Sequence, residues 1–219
     1  MDQKHLINLS NGGKKMSKKG PRHERNFAKR LSLWWTNGKR NDIFWRTSSS
    51  GARATVRAKQ GLKTADSYGD IKAEHISGKP LTSQSIWSLK KGYSGKKGKK
   101  SLRWASILDI LDHPPKTKAS PAIVSWWREL LEIQHFTGKK NIFLVFKRDR
   151  KEEVIGMQQS TFQELENKNG QYQGTFILLR DKMTSIVLIT TSGFFSWAKP
   201  ETLGKQKQSR KIKRRRKTK

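Results

Sequence analysis

Two short stretches constrain this chain most: Tyr68-Gly69-Asp70-Ile71 and, beginning fifteen residues after Asp70, Ser85-Ile86-Trp87-Ser88-Leu89-Lys90. Both read as strands, over 68–73 and 85–90, with residues 75–80 as a turn that makes the second the partner of the first. Asp70 then falls at the end of one strand. Ser88 and Lys90 lie two residues apart on the other, so period two puts them on the same face, ~7 Å apart.

The rest of the pattern surrounds that pair with helices and further strands. Residues 21–37 read as a helix, with Pro21 near its first position, Glu24 in its first turn, Phe27, Leu31 and Trp34 at helical spacing, and a stop at Asn37-Gly38. A strand follows over 43–46, then a Ser/Gly/Arg loop over 47–61. A basic, glycine-spaced loop covers 92–100, and a helix covers 102–111 until His113-Pro114-Pro115 stops it. Ile123, Trp126, Trp127, Leu130 and Leu131 give residues 121–136 a helical period. Residues 141–147 form an apolar, buried strand, and 154–157 a short neighbour. Ser160 would cap a helix over 161–168, and strands over 175–179 and 185–190 complete the set. The predicted fold class is α/β, a sheet flanked by helices.

Composition bounds the partner. The chain has 219 residues, 33% hydrophobic and 30% charged, enough for one core with polar appendages. Its 48 Lys and Arg against 17 acids give a formal charge of +31, which makes sense beside a polyanion, nucleic acid first. No long amphipathic basic helix supports a membrane surface instead, and no apolar run approaches the ~20 residues that span a bilayer. The absence of cysteine excludes disulfides, thiolate metal sites and a cysteine nucleophile. Without a signal-like apolar segment at its start, the chain reads as soluble and cytoplasmic. Residues 1–20 read as a flexible basic arm, with Met16 as an alternative start, and residues 199–219 as a disordered basic tail.

Cleaving a phosphodiester needs an in-line water, neutralisation of the phosphoryl oxygens and help for the leaving oxygen. Magnesium held by carboxylates meets much of that demand, and a lysine beside it orients the water or offsets transition-state charge. Asp70 fits the metal-binding acid and Lys90 the lysine. Either also reads blandly, as a turn aspartate and an exposed lysine. Gly69 would let a phosphate or metal come close.

Residues 44–55 (Phe44-Trp45-Arg46-Thr47-Ser48-Ser49-Ser50-Gly51-Ala52-Arg53-Ala54-Thr55), Tyr68-Gly69-Asp70-Ile71, Leu89-Lys90-Lys91-Gly92-Tyr93-Ser94 and Leu111-Asp112-His113-Pro114 together resemble a family of phage-encoded endonucleases. That family belongs to the PD-(D/E)XK superfamily and is similar to Holliday-junction resolvases. The likeness covers 21–157. It implies a restriction-endonuclease-like core over those residues, with 158–198 extending it, and divalent-metal cleavage of DNA by Mg2+, with Mn2+ as a substitute. It also implies branched DNA as substrate, a homodimer as the working form, and Glu24 as a further acid at the metal.

Ser88 departs from the pattern, which has glutamate before X-Lys. Either the acid has moved to a following helix, where Asp109, Asp112, Glu129 and Glu132 are the choices, or the site is crippled and the protein binds DNA without cutting it. Glu74 is a poor substitute, because an extended strand would carry it ~13 Å from Asp70.

Phosphate contacts are expected to dominate binding. Arg46, Arg53, Arg57 and Lys59 border the presumed site, Lys91 follows Lys90, and Lys96, Lys97, Lys99 and Lys100 lie on the basic loop. Trp34, Trp126 and Trp127 read as core, whereas Trp35, Trp104 and Trp197 are the choices for base stacking. His5, His23, His75, His113 and His135 show no metal-ligand spacing. A basic RNA-binding protein is the third reading, allowed by charge alone.

Overall fold

The computed structural model describes residues 19–47, 68–91, 122–148, 151–181 and 184–204. In chain order the elements are α1 (Lys19–Trp35), β1 (Phe44–Arg46), β2 (Ile71–Ala73), a 3-10 turn (Ile76–Gly78), α2 (Lys79–Gln84), β3 (Ser85–Lys91), α3 (Ala122–Thr137), β4 (Asn141–Lys147), β5 (Glu153–Gln158), α4 (Gln159–Asn169), β6 (Ile177–Asp181), β7 (Thr184–Thr190), α5 (Thr191–Trp197) and a 3-10 turn (Pro200–Leu203). The fold is α/β. Its five-stranded mixed sheet has the order β3-β4-β5-β7-β6, with β3 and β4 parallel and the other neighbours antiparallel.

Strand β4 explains the architecture. Phe143 and Val145 join one core with α1, α2, α4 and α5, while Ile142, Leu144 and Phe146 join a second core with α3. A strand covered on both faces reads as an unbroken apolar run, and 141–147 is one. Trp87 of β3 lies directly opposite Phe143 and stacks on it, with ring centroids 4.2 Å apart.

Helix α1 docks on the first core through Phe27, Ala28, Leu31 and Trp35. It begins at Lys19, two residues before Pro21, so Glu24 sits past the first turn, away from the helix N-terminus. Asn37 (φ 53) and Gly38 (φ 81) end it as expected, the Gly38 amide closing on the Leu33 carbonyl at 2.7 Å. Ser32 then ties the helix to β1: its hydroxyl accepts the Phe44 amide at 2.9 Å.

The expected hairpin between 68–73 and 85–90 is not formed. β2 pairs antiparallel with β1, and β3 pairs parallel with β4. The reason lies in residues 79–84, where Pro80 near the start of α2 supports a helical turn in place of a tight connection, carrying Leu81 into the core. Ser160 does not cap α4. That helix starts directly after β5 at Gln159, and the Gln158 amide side chain exchanges hydrogen bonds with Gln134.

Helix α5 was not foreseen. The Thr190 hydroxyl accepts the Gly193 amide at 3.1 Å and caps it, so Thr190→Ala is expected to cost about 1 kcal/mol in chemical denaturation. The tail expected from residue 199 does not begin there: Pro200 and Leu203 are buried, and the rest of that segment, 205–219, lies outside the described residues. The predicted helix over 102–111 and the loops over 48–61 and 92–100 lie outside the described residues. Among those residues no helix is long and apolar enough to cross a membrane.

Candidate active site

Asp70 lies against the outer edge of β3. Its amide donates to the Trp87 carbonyl at 2.7 Å, and its Oδ2 accepts the Leu89 amide at 2.6 Å. These two bonds straddle Ser88. The Asp70 carbonyl in turn accepts the Thr47 amide at 2.9 Å, which joins the segment to the end of β1.

Gly69 makes the approach possible. Its φ is +90, and a Cβ there would lie 2.6 Å from the Trp87 carbonyl oxygen and 3.1 Å from the Trp87 nitrogen. The close neighbour for which Gly69 makes room is therefore the β3 backbone, not a phosphate or a metal.

Asp70 is only 8 % exposed. Burial pushes its carboxyl from 3.8 up to about 6. The Leu89 amide opposes that rise, the Glu24 charge adds to it, and Lys90 and Arg46 pull it down. The charges of Glu24, Lys90 and Arg46 thus all reach Asp70, Glu24 from the α1 side of the sheet and Lys90 from the α3 side.

Glu24 reaches it from α1, itself buried, and its Oε2 accepts Arg46 Nε at 2.8 Å. Phe44 and Arg46 share a face of β1, and Phe44 is buried in the α1 core, so Arg46 turns toward the helix. Arg46 was expected to meet a phosphate; in this structure it neutralises Glu24.

Ser88 and Lys90 share the face of β3 that carries Ile86 into the α3 core. There Lys90 Nζ stands 4.0 Å from Glu129 Oε2 of α3. Of the acids left open by the serine at position 88, two lie among the described residues, Glu129 and Glu132, and Glu129 is the one placed at the lysine. Glu129 and Glu132 are both exposed, and Asp109 and Asp112 lie outside the described residues. Glu74 pairs with Lys72 at 2.6 Å.

A hard divalent cation takes one or two carboxylates and completes its shell with water, and the Glu24 charge adds to the raised proton affinity of the buried Asp70. Asp70 and Glu24 fit magnesium in that sense. Among the described residues, no group of three or more His, Asp or Glu side chains is placed to hold a metal ion.

The other anticipated contacts divide clearly. Arg53, Arg57, Lys59, Lys96, Lys97, Lys99, Lys100 and Trp104 lie outside the described residues. Trp35 is buried, and its indole donates to the Ser77 carbonyl at 2.8 Å. Trp197 donates to the Gly170 carbonyl at 2.7 Å and packs on Phe162 and Tyr172. Both are packing residues here.

Sequence reading missed a second charged group beside the first. His23, next to Glu24 in α1, meets Glu153 of β5, as does Arg30. The signal was available: Lys147 ends the apolar strand and Glu153 opens the next, so alternation aims both at the α1 side. No family model, curated protein or solved structure matches the chain.

Proposed function

We propose that the protein is a metal-dependent, structure-selective DNA endonuclease with a restriction-endonuclease-like core, similar to Holliday-junction resolvases. One observation carries this reading: a buried, raised-pKa Asp70 carboxylate beside Glu24, within electrostatic reach of Lys90. Asp70 and Glu24 would hold the magnesium ion, which would supply charge neutralisation and an activated water. Lys90 offsets the charge that grows on the phosphoryl oxygens. Glu129 holds the Lys90 ammonium in place and supplies the negative charge that Ser88 lacks. Arg46 pairs with Glu24 in the free protein and turns to a phosphate when DNA binds. The charge of +31 supplies non-specific affinity for the DNA backbone.

The test incubates four-way junction and linear duplex DNA with the protein in magnesium or in a chelator. Magnesium-dependent cutting that favours the junction supports the reading; no cutting in magnesium or manganese removes it. Glu129→Gln is expected to slow cleavage about 10–100-fold while leaving DNA affinity within about twofold. An unchanged rate would remove Glu129 from the site.

A second reading, DNA binding without turnover, is favoured by two observations: Ser88 brings no charge, and Glu24 is already neutralised by Arg46. It predicts tight, salt-sensitive binding with no product, and gain of cleavage in Ser88→Glu.

A further inference from the structure

Lys91, Lys147 and Glu153 form one row across β3, β4 and β5. Lys91 is in register with Lys147, and Lys147 with Glu153. Each is two residues from a first-core side chain on its own strand, Leu89, Val145 and Ile155, so all three face α1. The row lies at the carboxyl ends of the two parallel strands, where open α/β sheets take their ligands.

Its charges do not balance. Glu153 is 4 % exposed and gives Oε2 to Arg30, while its Oε1 lies 3.4 Å from His23 Nδ1. Arg30, Lys91, Lys147 and Glu153 carry a net excess of two positive charges, and of the three cations only Arg30 pairs with the carboxylate. Neither lysine has an ion-pair partner among the described residues. Like charges on neighbouring strands, about 4.8 Å apart, are destabilising without a counter-ion. His23 Nε2 is a buried nitrogen with no hydrogen-bond partner in the structure.

We propose that this row is a second phosphate subsite, with Lys91 and Lys147 gripping a phosphodiester that flanks the one cut at Asp70. Arg30 borders the subsite, and Glu153 and His23 buttress it. Adjacent residues of α1, His23 and Glu24, and adjacent residues of β3, Lys91 and Lys90, link it to the active site. A strand lying across the carboxyl end of β3 meets both. The inference rests on the DNA reading and adds a direction to it: the bound strand runs from Asp70 toward β4.

The test measures binding of the full chain to labelled junction and duplex DNA without divalent metal, over a range of salt. Lys91→Gln and Lys147→Gln are each expected to reduce the slope of log Kd against log salt by about 1 and to weaken binding about fivefold at 0.15 M salt. Lys199→Gln removes the same charge from an exposed position elsewhere, and is expected to weaken binding less than twofold. Lys91 lies on an edge strand, so its variant serves if Lys147→Gln does not fold. Folded site variants that bind like Lys199→Gln would overturn the subsite. If the wild type cuts while the site variants keep its slope, the row fails and the nuclease stands. If the slopes fall but nothing is cut, the nuclease fails and the row stands.

Discussion

Asp70→Asn is expected to stabilise the protein at neutral pH and to remove cleavage in the same step. The carboxyl holds its proton up to about pH 6 in the folded chain, against 3.8 when exposed. Between those values the folded state carries more protons than the unfolded one, so stability falls as pH rises. The contribution of Asp70 is fully present below pH 3.8 and is lost as pH passes about 6. At pH 7.5 the ionised side chain therefore costs on the order of 3 kcal/mol, which a neutral amide avoids while still accepting the Leu89 amide. For a chain of this size that corresponds to a melting temperature about 6–12 °C higher at pH 7.5, with the advantage shrinking toward pH 4. Cleavage is expected to drop about a thousandfold or more, because the amide brings no charge to a metal. Thermal melts of the two proteins at both pH values check the stability half. A variant less stable than wild type at pH 7.5 would show that the carboxylate is retained for packing and not for chemistry.

Gly69→Ala is expected to damage both fold and site. The left-handed backbone at this position costs a side chain about 1–3 kcal/mol, and the new Cβ meets β3 backbone that cannot move aside as a flexible side chain would. A total loss of about 3 kcal/mol or more is expected in denaturant titration. The Asp70 contacts to Trp87 and Leu89 loosen with it, and a displacement of about 1 Å is enough to cost cleavage roughly a hundredfold. Gly138→Ala separates strain from contact. Gly138 also has a positive φ, +66, but a Cβ there meets nothing within 4 Å, so about 1 kcal/mol is expected and activity is retained. Equal losses in the two variants would mean that Gly69 does not hold the chain against β3.

Much of the fold is legible in the residues because most of its elements carry a clean period. The run 141–147 declares a strand covered on both faces, and Trp126, Trp127 and Leu130 declare the covering helix. What fails to show is pairing. Nothing local distinguishes a β2–β3 hairpin from the observed arrangement, since the parallel β3–β4 ladder depends on the distant strand 141–147. Helix α5 is hidden because Thr191-Ser192-Gly193 favours neither state, and the Thr190 cap decides it. At the proposed site, Asp70 and Lys90 are readable by type and spacing, and Glu24 only through the resemblance. The approach of Glu129 to Lys90 is not, because it depends on how α3 lies across β3, which only packing fixes. Arg46 illustrates the same limit: its charge is plain in the sequence, but its engagement with Glu24 follows from the face that Phe44 buries.

Cleavage of one labelled four-way junction in magnesium by wild type, Asp70→Asn and Glu74→Gln, with DNA affinity measured alongside, tests the central claim most directly. The expected result is cutting by wild type and Glu74→Gln, none by Asp70→Asn, and similar affinity for all three. Cutting by Asp70→Asn at the wild-type rate would contradict the account.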